Sequence, residues 1–421
     1  MLVASGCNGD SPPPDRFAGD QTAAKAGGAR HPAVDLPDDL TVDQVAARVA
    51  RIRGARFEEV PSTATVDSAE LVDLQRRLIE RRYSPAEQRR DREVQVLLGL
   101  LKPDEDPLEV LETVADVAAL GFYDVDTKRL RIVRGGVKLD PALAETTLAH
   151  ELTHALDDQR FGLEAATVEL DDRSAALAAL REGSASAVGE EYVDRYRGGR
   201  EPPQELTPEA ARRVSDVPAY IINSVMFLYL DSTNFVDALR ERADGGWRLV
   251  DRALERRPPV STEQVLHPAK YFVDERPTSP KVVVGPLLDG FWNRSQRGDI
   301  GEFDTGQVLA HGGIAPAGAA EGWGGGTYEL WRRGGRCALP CTERRVLVLS
   351  WDWDTARDER EFTRAMRLKI GEGSGGDPAG GRDSWRLGDG AIALDRRGRS
   401  TTVALAPSVE LARRLAGRSR R

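Results

Sequence analysis

The chain has 421 residues, 40% of them hydrophobic, and a formal charge of −9 from 59 basic and 68 acidic residues. That length predicts two or three structural units, and that hydrophobic share suffices for a sizeable core. The charges are interleaved rather than blocked, which excludes a nucleic-acid footprint and charged interaction tails.

The start of the chain, Met1-Leu-Val-Ala-Ser-Gly-Cys7, has no basic region and only a short apolar one. Its Val-Ala-Ser-Gly-Cys string has the form in which a bacterial lipoprotein signal ends. The expectation is that part of the signal precedes Met1 and that Cys7 is lipidated. The protein would then be extracytoplasmic and held to the cell membrane by that anchor. Residues 8–31 are rich in Gly, Pro, Ala and Asp, the composition of a flexible tether, and 1–35 are assigned to signal remnant and tether.

Residues 36–118 are expected to form a helical region. Val42, Val45, Val49 and Ile52, then Leu71, Leu74 and Leu78, fall at helical spacing between charges. The texture changes at Gly121. Residues 121–133 read as strand, turn and strand, with Leu130 and Ile132 alternating with Arg129 and Arg131. Asp140 and Pro141 then supply an N-cap carboxylate and a first-turn proline for an amphipathic helix to about 160. Further helices are expected over 172–189 or on to 196, over 208–231 and over 235–255, with 258–268 mostly loop. The longest apolar run, around 219–230, is broken by Asn223 and Ser224 and is short of the ~18 residues of a membrane span.

From about 301 the pattern becomes strand-like at 328–331, 345–353, 391–394 and 401–406, with helices at 355–370 and from 407. A Gly-rich linker is expected over 371–381. Trp323, Trp331, Trp351 and Trp353 are expected in the core of this part. Cys337 and Cys341 make an even pair that suits a small disulfide outside the cytoplasm. The fold class is therefore α+β. A mostly helical unit with a small hairpin sheet (119–300) is followed by a small α+β module (301–421).

The chemistry concentrates in His150-Glu-Leu-Thr-His154. Two histidines four apart on a helix share a face, and neutral imidazole is a zinc ligand. Glu151 lies between them, placed to take a proton from a zinc-bound water. Zinc needs a third protein ligand. Glu182, in the next helix, is the first candidate, with Glu190 and Glu191 as competitors and Asp194 as outer support. An oxyanion donor is sought at His267, Tyr271 or Tyr192. The strand over 130–133 is a candidate edge for an extended peptide, bordered by Arg129, Arg131 and Arg134.

The two strings His150-Glu-Leu-Thr-His-Ala-Leu-Asp-Asp-Gln159 and Leu180-Arg-Glu-Gly-Ser-Ala185 resemble the gluzincin class of zinc metallopeptidases. They look most like its bacterial, often lipoprotein, members. That resemblance extends to Gly121–Asp124, to 261–268, to Ala320-Glu-Gly-Trp-Gly-Gly325 and to Trp351-Asp-Trp-Asp-Thr355. It implies a zincin-like catalytic domain, Zn2+ held by His150, His154 and Glu182, Glu151 as general base, and a peptide or protein substrate. The sequence departs from the pattern at Ser184, Ser186 and Gly326, where acidic residues are usual. The expected activity is a zinc metallohydrolase, most simply a peptidase. The alternatives are an inactive, zinc-stabilised binding lipoprotein and a zinc hydrolase of a non-peptide bond.

Overall fold

The computed structural model describes residues 40–110, 121–134, 141–163, 171–200, 208–310, 318–335, 337–381 and 383–418. Cys7 and the expected tether lie outside them. The fold is α+β, with a helical N-terminal part and a seven-stranded antiparallel sheet with its helices at the C-terminus.

Helix α1 (Val42–Arg53) starts at a reciprocal cap, with Thr41 and Gln44 each bonding the other's backbone N–H. The helical pattern expected to run to residue 80 is interrupted. Residues 63–67 form β1 (Thr63–Asp67), and helix α2 (Ser68–Arg82) begins on the Asp67 carboxylate. β1 pairs in parallel with β3 (Arg129–Arg134), and β2 (Gly121–Asp124) pairs antiparallel on the other side. β3 is thus the central strand, not the free edge that the 130–133 pattern suggested. Its alternation reflects one buried face, with Leu130 and Ile132 in the core.

The HExxH helix, α4 (Pro141–Phe161), is buried almost all round rather than amphipathic. Leu148, Leu152 and Leu156 are fully buried, each stabilising by about 1.5–3 kcal/mol on transfer from water. Its buried acids all have partners. Glu145 accepts from Arg48, Tyr192 and Arg197, and Asp158 accepts from Tyr123 and Lys128. Helix α5 (Asp172–Arg197) packs beside α4 in the same core.

The chain returns through α6 (Pro208–Ser215) and α7 (Ala219–Met226). It passes through a π-helical turn, Phe227–Asp231, into α8 (Ser232–Glu241) and then α9 (Arg248–Glu255). The stretch 258–268, expected to be mostly loop, contains one short helix, α10 (Thr262–Leu266), and the first residue of another, α11 (Pro268–Phe272).

The second sheet has the order β4-β5-β6-β10-β9-β8-β7 and is antiparallel throughout. Its strands are β4 (Trp292–Asp299), β5 (Trp323–Arg333), β6 (Arg345–Trp353), β7 (Asp377–Pro378), β8 (Ser384–Leu387), β9 (Gly390–Arg397) and β10 (Ser400–Ala406). The sheet therefore begins before residue 301, because β4 is polar and exposed along most of its length and carries no strand pattern. It also reaches into the expected linker through β7.

Both faces of this sheet are covered, which is why β6 reads as one apolar run. Leu347, Leu349, Trp351 and Trp353 face the core that includes helix α12 (Glu302–Ala310) and helix α13 (Ala356–Leu368). Val346 and Val348 face helix α14 (Val409–Arg418). Trp323, Trp351 and Trp353 are core residues as expected, and Trp331 is half-buried. Cys337 and Cys341 are joined by a disulfide in the loop before β6. Helix α3 (Pro85–Leu98), assigned by sequence to a separate N-terminal region, packs Val94 on this sheet, and its Glu93 pairs with Arg345 and Arg332.

Candidate metal centre

α4 and α5 bring three donor atoms together. His150 Nε2 lies 3.2 Å from His154 Nε2 and 3.4 Å from Glu182 Oε2, and His154 Nε2 lies 3.6 Å from Glu182 Oε1. Four donors at ~2.0–2.1 Å from one zinc, arranged tetrahedrally, stand roughly 3.3–3.4 Å apart. The separations fit donors around a shared ion better than donors bonded to one another. Glu182 Oε2 is also buried with no well-formed hydrogen bond, a deficit that a cation would satisfy. The residues therefore fit a zinc ion.

Electrostatics point the same way. Burial opposes charge on Glu182, but His154 and His150 outweigh it and hold the carboxyl well below the usual range. Burial likewise opposes a proton on His154, but Glu182, Glu151 and Asp157 raise that imidazole to about 9. Without metal, a proton does the work of the ion.

Glu151 is buried beside this cluster. Its Oε2 accepts the Tyr123 backbone N–H of β2 at 2.7 Å. One carboxylate oxygen is thus held by the sheet edge. Burial pushes the Glu151 carboxyl up, against the pull of the two histidines.

A residue not anticipated from the sequence completes the arrangement. The Tyr229 ring stands 6.1 Å from that of His150, and Glu182 is the group that acts most strongly on its phenol. Glu182, with burial and Glu151, holds the phenol protonated, well above its ordinary range. Tyr229 sits in the π-helical turn, a local widening often found at functional sites. The approach of this turn depends on Gly183. A Cβ there would lie 2.3 Å from the carbonyl oxygen of Ser232. The Glu-Gly pair thus supplies one ligand and the room for the segment that carries Tyr229. No periodicity marks an inserted residue in a helix, so 219–230 gave no sign of it.

The other candidates are engaged elsewhere. Glu191 pairs with Arg195 and Arg240, and Asp194 is exposed, as is Glu190. His267 Nε2 is 2.8 Å from Glu302, and the Tyr271 hydroxyl donates to the Arg257 carbonyl. Tyr192 donates to Glu145. Among the described residues no contact joins His267, Tyr271 or Tyr192 to the histidine pair.

Two of the sequence departures have a structural reason. Ser184 donates to Asp157 on α4 at 2.8 Å, and Arg53 binds the other oxygen of Asp157 at 2.6 Å. A carboxylate at 184 would face another carboxylate. A Cβ at Gly326 would lie 2.4 Å from the Ile300 carbonyl oxygen, so no side chain fits.

The motif blocks at 261–268, 320–325 and 351–355 lie instead where the helical part joins the second sheet. Lys270 binds Glu263, Glu275 and Asp354 at 2.5–2.7 Å, so this trio of acids already holds a cation. Asp354 also bonds the Gly322 carbonyl through its N–H. These blocks are joints in the fold.

Residues 289–416, essentially the second sheet and its helices, match a domain of unknown function, DUF8575. No curated protein and no solved structure matches the chain. The matched segment excludes α4, α5 and the π-helical turn, so it assigns no chemistry to the metal centre.

Proposed function

We propose that this chain is a zinc-dependent metallohydrolase with a zincin-like catalytic unit, most simply a peptidase, acting outside the cytoplasm. The observation that carries the reading is the 3.2–3.6 Å spacing of the three donors with Glu151 beside them. His150, His154 and Glu182 would hold the ion. Bound there, zinc would supply a Lewis acid and a water of lowered pKa.

This chain's own groups do the rest. Glu151 keeps one oxygen on the Tyr123 N–H, which leaves the other to take a proton from water and pass it to the leaving group. Burial raises its pKa, which favours its holding the proton it takes. Tyr229, kept protonated, is a hydrogen-bond donor for the oxygen that gains charge. The role expected of His267 passes to Tyr229 in this reading. Peptide bonds are assigned on the gluzincin resemblance, since the same geometry would serve an ester. The Cys337–Cys341 disulfide supports an extracytoplasmic compartment, and a lipid on Cys7 would tether the enzyme to the membrane.

The test is metal content and hydrolysis of a mixed peptide library by the wild type and Glu151→Gln. The proposal expects zinc in both and hydrolysis by the wild type alone. Zinc in both and hydrolysis by neither would favour the inactive, zinc-stabilised alternative.

A further inference from the structure

Helix α9 borders an open cavity of about 900 Å3 on the flank of the helical part. Its lining carries five arginines against two acids, on a chain whose net charge is −9. The arginines are not equivalent. Arg53 is buried in the floor, bonded to Asp157 and Asp251 through Nη2, while its Nε and Nη1 have no hydrogen-bond partner. Its guanidinium stacks on Trp247 at 4.4 Å. Arg256 pairs with Glu255 and Arg257 with Asp274. Arg248 and Arg252 have no carboxylate partner among the described residues, and their spacing puts both on one face of α9.

The start of α9 adds to this positive field. Trp247 at the N-cap provides no side-chain acceptor, and Arg248, the first helical residue, occupies a position where acids are favoured. Free N–H groups at a helix start favour an anion. Two uncompensated guanidinium groups in the same concavity match the fork geometry of a phosphate.

We propose that this cavity binds a phosphate-type oxyanion at the first turn of α9, between Arg248 and Arg252. The site uses none of the metal-binding side chains, so it stands or falls apart from the hydrolase reading. A second arginine-lined cavity, of about 430 Å3, serves as its control. There Arg367 and Arg396 are closed by Asp383 and Glu359, and Arg360 and Arg364 sit inside helix α13 rather than at a helix start.

Pyrophosphate titrated calorimetrically into the full chain tests the proposal. Saturable binding at one site per chain is expected. Arg248→Glu combined with Arg252→Glu should weaken it at least about tenfold, since two charge-assisted contacts are replaced by repulsion. Arg360→Glu with Arg364→Glu, the same charge change at the second cavity, should leave it intact. Unchanged melting curves for both variants establish that they fold. Absent binding, or equal weakening by both pairs, would overturn the proposal. Vesicles of phosphatidylglycerol, set against phosphatidylcholine, then identify the source of the phosphate. Retention on the anionic vesicles that pyrophosphate displaces assigns a lipid headgroup. Pyrophosphate binding without retention assigns a soluble phosphate compound.

Discussion

The two halves of the molecule differ in where their buried polar groups converge. In the second sheet most buried polar side chains are closed by near neighbours, although the Tyr328 hydroxyl and Trp353 Nε1 are buried without a partner among the described residues. Trp351 donates to Thr305, Trp323 to the Ile300 carbonyl, and Glu359 binds Arg396, Thr363 and Thr401. Around α4 and α5 most are closed too, but His150, His154 and Glu182 crowd one another at distances that suit ligands of one ion. One half spreads its buried polar groups along a sheet, and the other gathers three possible ligand side chains at one point. A fold carries such a cluster at a cost, because buried charge without good partners is unfavourable.

Four substitutions sharpen or break that contrast. The largest stability effect is expected in the sheet, where Trp351→Ala should destabilise by about 3–5 kcal/mol while leaving zinc stoichiometry unchanged below the melting point. Denaturant melts and metal analysis on the same sample check it. Loss of zinc without loss of stability would invert the comparison. Tyr229→Phe should lower kcat about 10²–10³-fold, as removal of one oxyanion donor does, and keep the metal. Steady-state kinetics decide it, and an unchanged kcat would return the donor role to another residue.

Gly183→Ala places a methyl against the Ser232 backbone, so about 1–3 kcal/mol of stability should be lost to overpacking. Activity should fall with it, since the π-helical turn must shift. A variant as stable and active as wild type would show that the turn has slack.

The smallest effect is a pH dependence at the junction. Asp172 accepts two bonds from Thr262, yet burial outweighs them and raises its carboxyl to about 7. The folded form therefore binds this proton more tightly than the unfolded chain. The stability it contributes is full below the ordinary aspartate range near 4 and is lost as pH rises to about 7. Melting temperatures of metal-free wild type should fall from pH 5 to pH 8, and Asp172→Asn should flatten part of that slope. Parallel slopes would place the effect on other acids.

The strongest local signals were legible in the sequence. Two histidines one turn apart specify a shared helix face, and Glu182 follows from the next helix. The strands β5, β6, β9 and β10 show themselves through apolar runs or alternation. What escaped was set by tertiary contact. β1 has no strand pattern strong enough to stand against helical neighbours, and it exists because β3 offers a parallel partner. β4 is polar and exposed, and is held by its ladder with β5. His267 looked functional because it precedes a proline in a motif, but Glu302 claims it. Tyr229 was hidden because its position depends on a π-helical insertion and on the missing Cβ of Gly183.

The central claim is that His150, His154 and Glu182 close around one zinc ion. Metal analysis with zinc-edge X-ray absorption, on wild type and Glu182→Ala, tests it most directly. The account predicts one zinc per wild-type chain with two imidazole nitrogens among its ligands, and loss of that zinc in the variant. Stoichiometric zinc in Glu182→Ala, or a wild-type shell without paired imidazoles, would contradict it.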